Sequence, residues 1–352
     1  MTPALTGARH LYRRGGARRL VLPILLGLLL PGASFSTAMA APGVLLAANE
    51  NEGTLSVIDP RRGVELARIP EGGFTGHEVA SSLDGRFVYV PIYGDGNAGT
   101  PGTDGRKVVK IDLTTRRVVG KYEFDHGVRP HAAVLNPHDG LLYVTTELDR
   151  TVSIINPETM TLVGEIPTGA TLSHMLVMSH DGRFGYTSNI APGGISVLDL
   201  ERRKLLAVVP VSAKTQRIAI SADDRMIFTA DQTKPRVAVI DTATRKVTGW
   251  IELPAVGMGL TPTSDGRWLL VAIESASRVA VIDLETMKVV HAIDLPQYPH
   301  EIAMSPDGKS AYVSCSVTGE VAALRVGEWK VLWRTRSGPF VDGLTWAGHE
   351  RP

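Results

Sequence analysis

The chain has 352 residues, 43% of them apolar and 21% charged, a composition that supports a buried core and excludes a disordered chain. Its formal net charge of +1 includes five arginines within the first twenty residues; without them the balance is −4, which excludes a nucleic-acid or anionic-membrane partner. The single cysteine, Cys315, excludes an internal disulfide, and no Cys-x-x-Cys-His is present to attach a c-type haem covalently.

Residues 1–40 read as a signal peptide. Arg9, Arg13, Arg14, Arg18 and Arg19 form a positive n-region, Leu20 to Leu30 an apolar core, and Ala38-Met39-Ala40 a cleavage site. The apolar core is too short to span a bilayer comfortably. The expected mature protein therefore starts near Ala41, is periplasmic or secreted, and keeps no membrane span. Nothing in the sequence calls for more than a monomer.

From residue 41 onward a repeat dominates. One position, here called the lip, precedes a short apolar run in each copy: His77, His131, His174, Gln216, Met258, His300 and Asp342. The period is near 42 residues, apart from an insertion over 91–107 (PIYGDGNAGTPGTDGRK) in the copy that begins at His77. After the lip come an apolar strand, a turn such as Ser305-Pro306-Asp307-Gly308, and a second apolar strand. A third strand ends in Asp59, Asp112, Asp199, Asp241 or Asp283, and a fourth follows a polar turn. The runs are short, β-branched and bounded by turn residues, which predicts strands. Four strands per copy of this length predict a β-propeller blade, and seven copies an all-β, seven-bladed β-propeller over residues 41–352. The mature chain begins in a second strand near Val44 and ends in a lone first strand, Val341 to Trp346. One blade is thus completed by pairing of the N- and C-terminal strands, which closes the ring.

Leu142-Tyr143-Val144-Thr145-Thr146 followed by Thr151-Val152-Ser153-Ile154-Ile155-Asn156 resembles the YVTN-type propeller repeat of bacterial and archaeal envelope proteins. The resemblance runs through all seven copies, about residues 44–347. Related seven-bladed propellers include surface-layer proteins, amine dehydrogenase subunits, lactonases and haem d1-type domains, so the fold alone leaves the function open.

In such propellers the first strands line a central channel, which places the lip residues around one mouth. The hairpin register predicts further neighbours there. His300 is expected opposite Cys315, His174 opposite Asn189, Gln216 opposite Asp231, and His131 opposite Thr146 beside Glu147. The Gly-rich insertion is expected on the same face, as a lid, a binding loop or a plain surface insertion. Its Asp95, Asn97 and Asp104 offer oxygen ligands, though in no EF-hand spacing. Arg129, Arg217 and Glu301 beside the lip are expected as rim charges or contacts for an anionic ligand.

Three readings of this ring stand side by side. The histidines bind a metal or cofactor, with His77, His131 and His174 as candidate ligands of a transition metal and Cys315 or Met258 as soft donors. A histidine works with Glu147 or Asp342 in acid–base chemistry, as in lactone hydrolysis. Or the lip histidine is a packing habit of the repeat. No complete catalytic constellation is visible, so the resemblance to envelope proteins implies a non-catalytic platform for an unidentified protein or small-molecule ligand of the cell envelope. The alternative is a metal- or cofactor-binding redox protein resembling the haem d1 or amine dehydrogenase propellers, and a lactonase-type hydrolase comes third.

Overall fold

The computed structural model describes residues 43–348; the expected leader lies outside the described residues. Seven antiparallel four-stranded sheets form seven blades. Their first strands are Ala80–Ser81, Pro130–Leu135, Ser173–Met178, Thr215–Ile220, Leu260–Pro262, Pro299–Met304 and Val341–Ala347, numbered here as blades 1 to 7. Each first strand contacts those of its two neighbours, so the seven form a ring.

Blade 7 closes that ring as expected. Its first strand, Val341–Ala347, pairs with Val44–Asn49, and Thr54–Asp59 and Val64–Pro70 complete the sheet. The closing contact leaves no open sheet edge at Val44–Asn49, an edge that would otherwise template association.

The core is divided among seven interfaces between adjacent blades. Phe228, Leu269 and Val271 pack between blades 4 and 5; Leu45, Ala47, Tyr312 and Val321 pack between blades 6 and 7. Second and third strands are buried on both faces, as in Val44–Asn49 and Arg236–Asp241, because blades flank them on each side. Fourth strands alternate: Val64–Pro70 exposes every other residue until Ile69, as an outer strand should.

The third-strand aspartates cap the following turn. Asp59 Oδ1 accepts the backbone N–H groups of Arg61 and Arg62, and Asp283 those of Glu285 and Thr286. Asn156 does the same at the equivalent place in blade 2.

The expected lip register is corrected by a recurrent β-bulge. Pro130 opposes Thr146 and Ala133 opposes Val144, so His131 and Ala132 share one partner position. The same irregularity occurs in blades 3, 4 and 6. Consequently Ser173, not His174, faces Asn189. Thr215, not Gln216, faces Asp231, and Pro299, not His300, faces Cys315. A bulge adds one residue to one strand and re-aims its side chain, which a uniform two-residue period misses.

Candidate functional site at the channel mouth

The bulges turn the lip side chains toward the channel. A second backbone feature accompanies the ionisable lips. Two residues before His77, His131, His174, His300 and Asp342 stand Thr75, Arg129, Leu172, Tyr298 and Phe340, all left-handed with φ between 49° and 67°. No such residue precedes Gln216 or Met258. A left-handed non-glycine residue costs about 1–2 kcal/mol, and such strain concentrates at functional sites. The entry to the first strand is therefore distorted only where the lip carries an ionisable group.

Each of three mouth histidines meets an acid from the preceding blade. Glu50, Glu147 and Glu274 each stand one residue past a second strand, and the histidine follows 26 or 27 residues later. His174 Nδ1–H donates to Glu147 Oε1 (2.5 Å), and Tyr93 Oη–H donates to Glu147 Oε2 (2.6 Å). His300 Nδ1–H donates to Glu274 Oε1 (2.6 Å). His77 Nε2 lies 3.8 Å from Glu50 Oε1, while its Nδ1–H donates to Asp342 Oδ2 (3.1 Å). A carboxylate on Nδ1–H fixes the ring's orientation and leaves Nε2 free to act.

Arg217, one residue past the lip of blade 4, also lines the mouth. It is 2% exposed and pairs with Glu78, with Glu301 (2.8 Å) and with Asp342 (2.6 Å). Glycine stands at the equivalent position of blades 5 and 7, where the next blade's backbone approaches closely: a Cβ on Gly259 or Gly343 would collide with the backbone of His300 or His77. Burial opposes the charge on Arg217, but Glu78, Glu301 and Asp342 hold its pKa well above the ordinary value. Burial likewise opposes the charge on Asp342, yet Arg217 and His300 hold it well below the carboxylate range. Burial pushes Glu78 up to about 8 despite Arg217, and raises Glu50 and Glu301. The same burial works against a charged His300, but Asp342 and Glu274 raise it to about 10. Its Nε2–H then donates to Asp342 Oδ1 (3.2 Å); in the neutral ring Nε2 accepts from Arg217 (2.8 Å).

His131 is the exception. It is 1% exposed, and its Nδ1 has no hydrogen-bond partner. Burial, then the neighbouring His174 and His77, hold its pKa well below the ordinary value, so the ring is neutral. Its ring centroid lies 3.6 Å from that of His174 and 5.2 Å from that of His77. The sequence explains the missing acid: in blade 1 the position after the second strand (Phe87–Gly94) opens the insertion. Asp95 there is turned away, accepting from Thr103 Oγ1 (2.9 Å).

The mouth encloses about 250 Å³, walled by Glu50, His77, His131, His174, Gln216, Arg217, His300 and Asp342. Tyr93, Asn97 and Ala98 of the insertion contribute to the wall, so the loop does emerge on the expected face. Arg129 pins it by pairing with Asp104 (2.5 Å) and donating to the Asn97 carbonyl (3.0 Å). Arg129 is thus an anchor and not a rim charge, and Asp95, Asn97 and Asp104 are engaged separately.

Seven sequence-predicted residues meet here: His77, His131, His174, His300, Gln216, Asp342 and Glu147. Cys315 and Asp231 do not. Cys315 is buried under the bulge, its thiol pushed up to about 12 by burial. Asp231 caps its own hairpin loop through Thr233 and Arg236. Met258 does not line the mouth either; its backbone N–H donates to Ala272. The sequence reading missed Glu50, Tyr93 and Glu274 and placed Arg217 at the rim. The Glu-to-His spacing of 26 or 27 residues is the signal that finds the two glutamates.

Comparison with known proteins adds the following. The cytochrome D1 heme domain family matches residues 136–260, from the first turn of blade 2 to the start of blade 5, a stretch that includes Glu147, His174 and Arg217. None of the curated proteins matches the sequence. Among solved structures, Kuenenia stuttgartiensis hydrazine synthase is similar with a TM-score of 0.63 at 18% identity, over 76% of this chain and 88% of that one. The dihydro-heme d1 dehydrogenase NirN in complex with DHE is similar with a TM-score of 0.62 at 16% identity, over 86% of this chain and 74% of that one. At identities this low, the TM-scores show a shared fold and nothing finer. The family match favours the cofactor-binding alternative over the non-catalytic platform.

Proposed function

We propose that this protein is an exported, cofactor-binding redox propeller resembling the haem d1 kind, with the histidine-lined mouth as its site. His131 is the observation that carries this reading: a buried, neutral imidazole with an unpartnered nitrogen in the wall of a polar cavity. A buried polar group without a partner costs about 1–3 kcal/mol, and a neutral imidazole is a good iron donor. The partial match to the cytochrome D1 heme domain family supports the same class.

The residues present fit the metal end of such a group. His131 would supply the donor nitrogen, and His174, held on Nδ1 by Glu147, the imidazole beside it. When bound, an iron tetrapyrrole supplies one-electron redox chemistry. The chain's own contribution is orientation and proton placement. Glu147 accepts hydrogen bonds from both Tyr93 and His174, and burial keeps Tyr93 protonated by raising its pKa. At about 250 Å³ the cavity is small for an organic ligand, so the fit is to the metal end of the group alone.

Titration of the purified protein with haemin tests this. Saturation at one equivalent with a shifted Soret band is expected, weakened at least tenfold by His131→Ala. His138→Ala, in a turn at the far end of the first strand, should not change it. Identical spectra for wild type and His131→Ala would contradict the reading.

A further inference from the structure

We propose that the seam between blades 6 and 7, at the end of the propeller away from the mouth, binds a small planar ring carrying a carboxylate. A cavity of about 490 Å³ opens there, walled by Tyr312, Trp333 and Trp346 and by Arg61, Arg325 and Asp307. Sites for small organic ligands enclose about 300–1,000 Å³ and set a few placed polar groups in an apolar wall.

The repeat itself singles out this seam. Trp333 stands on the fourth strand of blade 6, opposite Ala323. At that register position the other blades have Ala67, Gly120, Gly164, Ala207, Gly249 and His291. Trp346 stands four residues past the lip of blade 7, where the other blades have Ser81, Leu135, Met178, Ile220, Pro262 and Met304. Copies of a repeat share what the fold requires, so two tryptophans that leave the pattern and meet at one seam have a local cause. The rings are also held in place. Trp333 Nε1–H donates to the Pro60 carbonyl across the seam (3.0 Å). The Tyr312 ring lies 5.9 Å from that of Trp333 and 6.2 Å from that of Trp346, tilted by 33° and 26°. The three form one aromatic wall, and offset stacking on it selects a flat ring.

Charge selects the substituent. Arg325 is partly exposed and has no ion-pair partner among the described residues, and Arg61 lines the same cavity. Asp307, the acid in the wall, is already engaged. Its Oδ1 accepts from Ser305 Oγ–H (2.6 Å) and the Lys309 backbone N–H (3.0 Å), and its Oδ2 lies 3.5 Å from Lys309 Nζ. A guanidinium fork pairs with a carboxylate through two parallel hydrogen bonds. The corresponding cavity between blades 3 and 4 lacks this set, with one arginine, Arg245, against Asp181 and Asp224. The site shares no residue with the mouth and does not depend on the tetrapyrrole reading.

The test is isothermal titration calorimetry of haem-free protein with naphthoate, and with naphthylmethanol as its uncharged counterpart. One equivalent is expected, with naphthoate bound about tenfold more tightly than the alcohol and Arg325→Gln removing that advantage. Trp333→Leu should weaken both probes, its folding checked by circular dichroism. Arg245→Gln and, at the mouth, His131→Ala should change neither. No saturation, equal affinity for the two probes, or binding unaltered by Arg325→Gln would overturn the proposal, whether or not haemin binds through His131.

Discussion

At the scale of single residues, the mouth is governed by which group has a partner. Glu71 illustrates the cost of having too few. It is fully buried, one oxygen accepts the Gly76 N–H and the other has no partner. Burial raises its pKa from 4.5 to about 8. The folded state therefore holds a proton that the unfolded chain releases, and stability should fall as pH rises from about 4.5 through 8. Glu71→Gln removes that contribution. Urea midpoints at pH 5 and pH 9 should show wild type losing on the order of 4 kcal/mol more than the variant; equal losses would contradict it. The lip histidines were legible in the sequence because they recur at one place in a repeat. Glu147 and Asp342 were also legible, but Glu50 and Glu274 were not singled out, because they meet their histidines across blades. Cys315 and Asp231 were assigned to the mouth by a register that the bulge shifts by one residue.

At the scale of elements, short strands are set by their turns. Asp112 accepts N–H groups from Thr114 and Thr115 and pairs with Arg86 (3.0 Å). The Thr115 hydrogen bond, with help from Arg86, outweighs desolvation and lowers its pKa. Its stabilisation is present above the ordinary value near 4 and is lost as pH falls through the lower folded value. Asp112→Ala should cost about 1–3 kcal/mol at pH 7, and the difference from wild type should vanish in acid. Asp112→Asn should cost less, since Asn156 makes the equivalent bonds in blade 2. These turns were readable because Asp at a strand end has a local role. The bulges and left-handed entries were not, since neither Thr75, Leu172 nor Tyr298 advertises a positive φ.

At the scale of the whole molecule, the period of about 42 residues carried the fold. Repeat count, strand count and closure all follow from it, and the structure agrees on each. Closure predicts its own test: removing residues 341–352 deletes the first strand of blade 7 and exposes the edge of Val44–Asn49. The truncated chain should lose its cooperative melt and associate on size-exclusion chromatography; a monomer with an unchanged melt would contradict that role. What the period could not show is how seven copies differ at their shared mouth, because that depends on side chains meeting from separate blades. The insertion in blade 1 is the clearest case. It holds the acid at the equivalent position, Asp95, against Thr103, leaves His131 Nδ1 unpartnered and supplies Tyr93 to Glu147.

The most direct measurement is the visible absorption spectrum of the protein isolated from its own host. A cofactor site at the mouth predicts visible bands that disappear in a folded His131→Ala variant. A featureless spectrum from folded wild-type protein, or bands that survive the substitution, would contradict it.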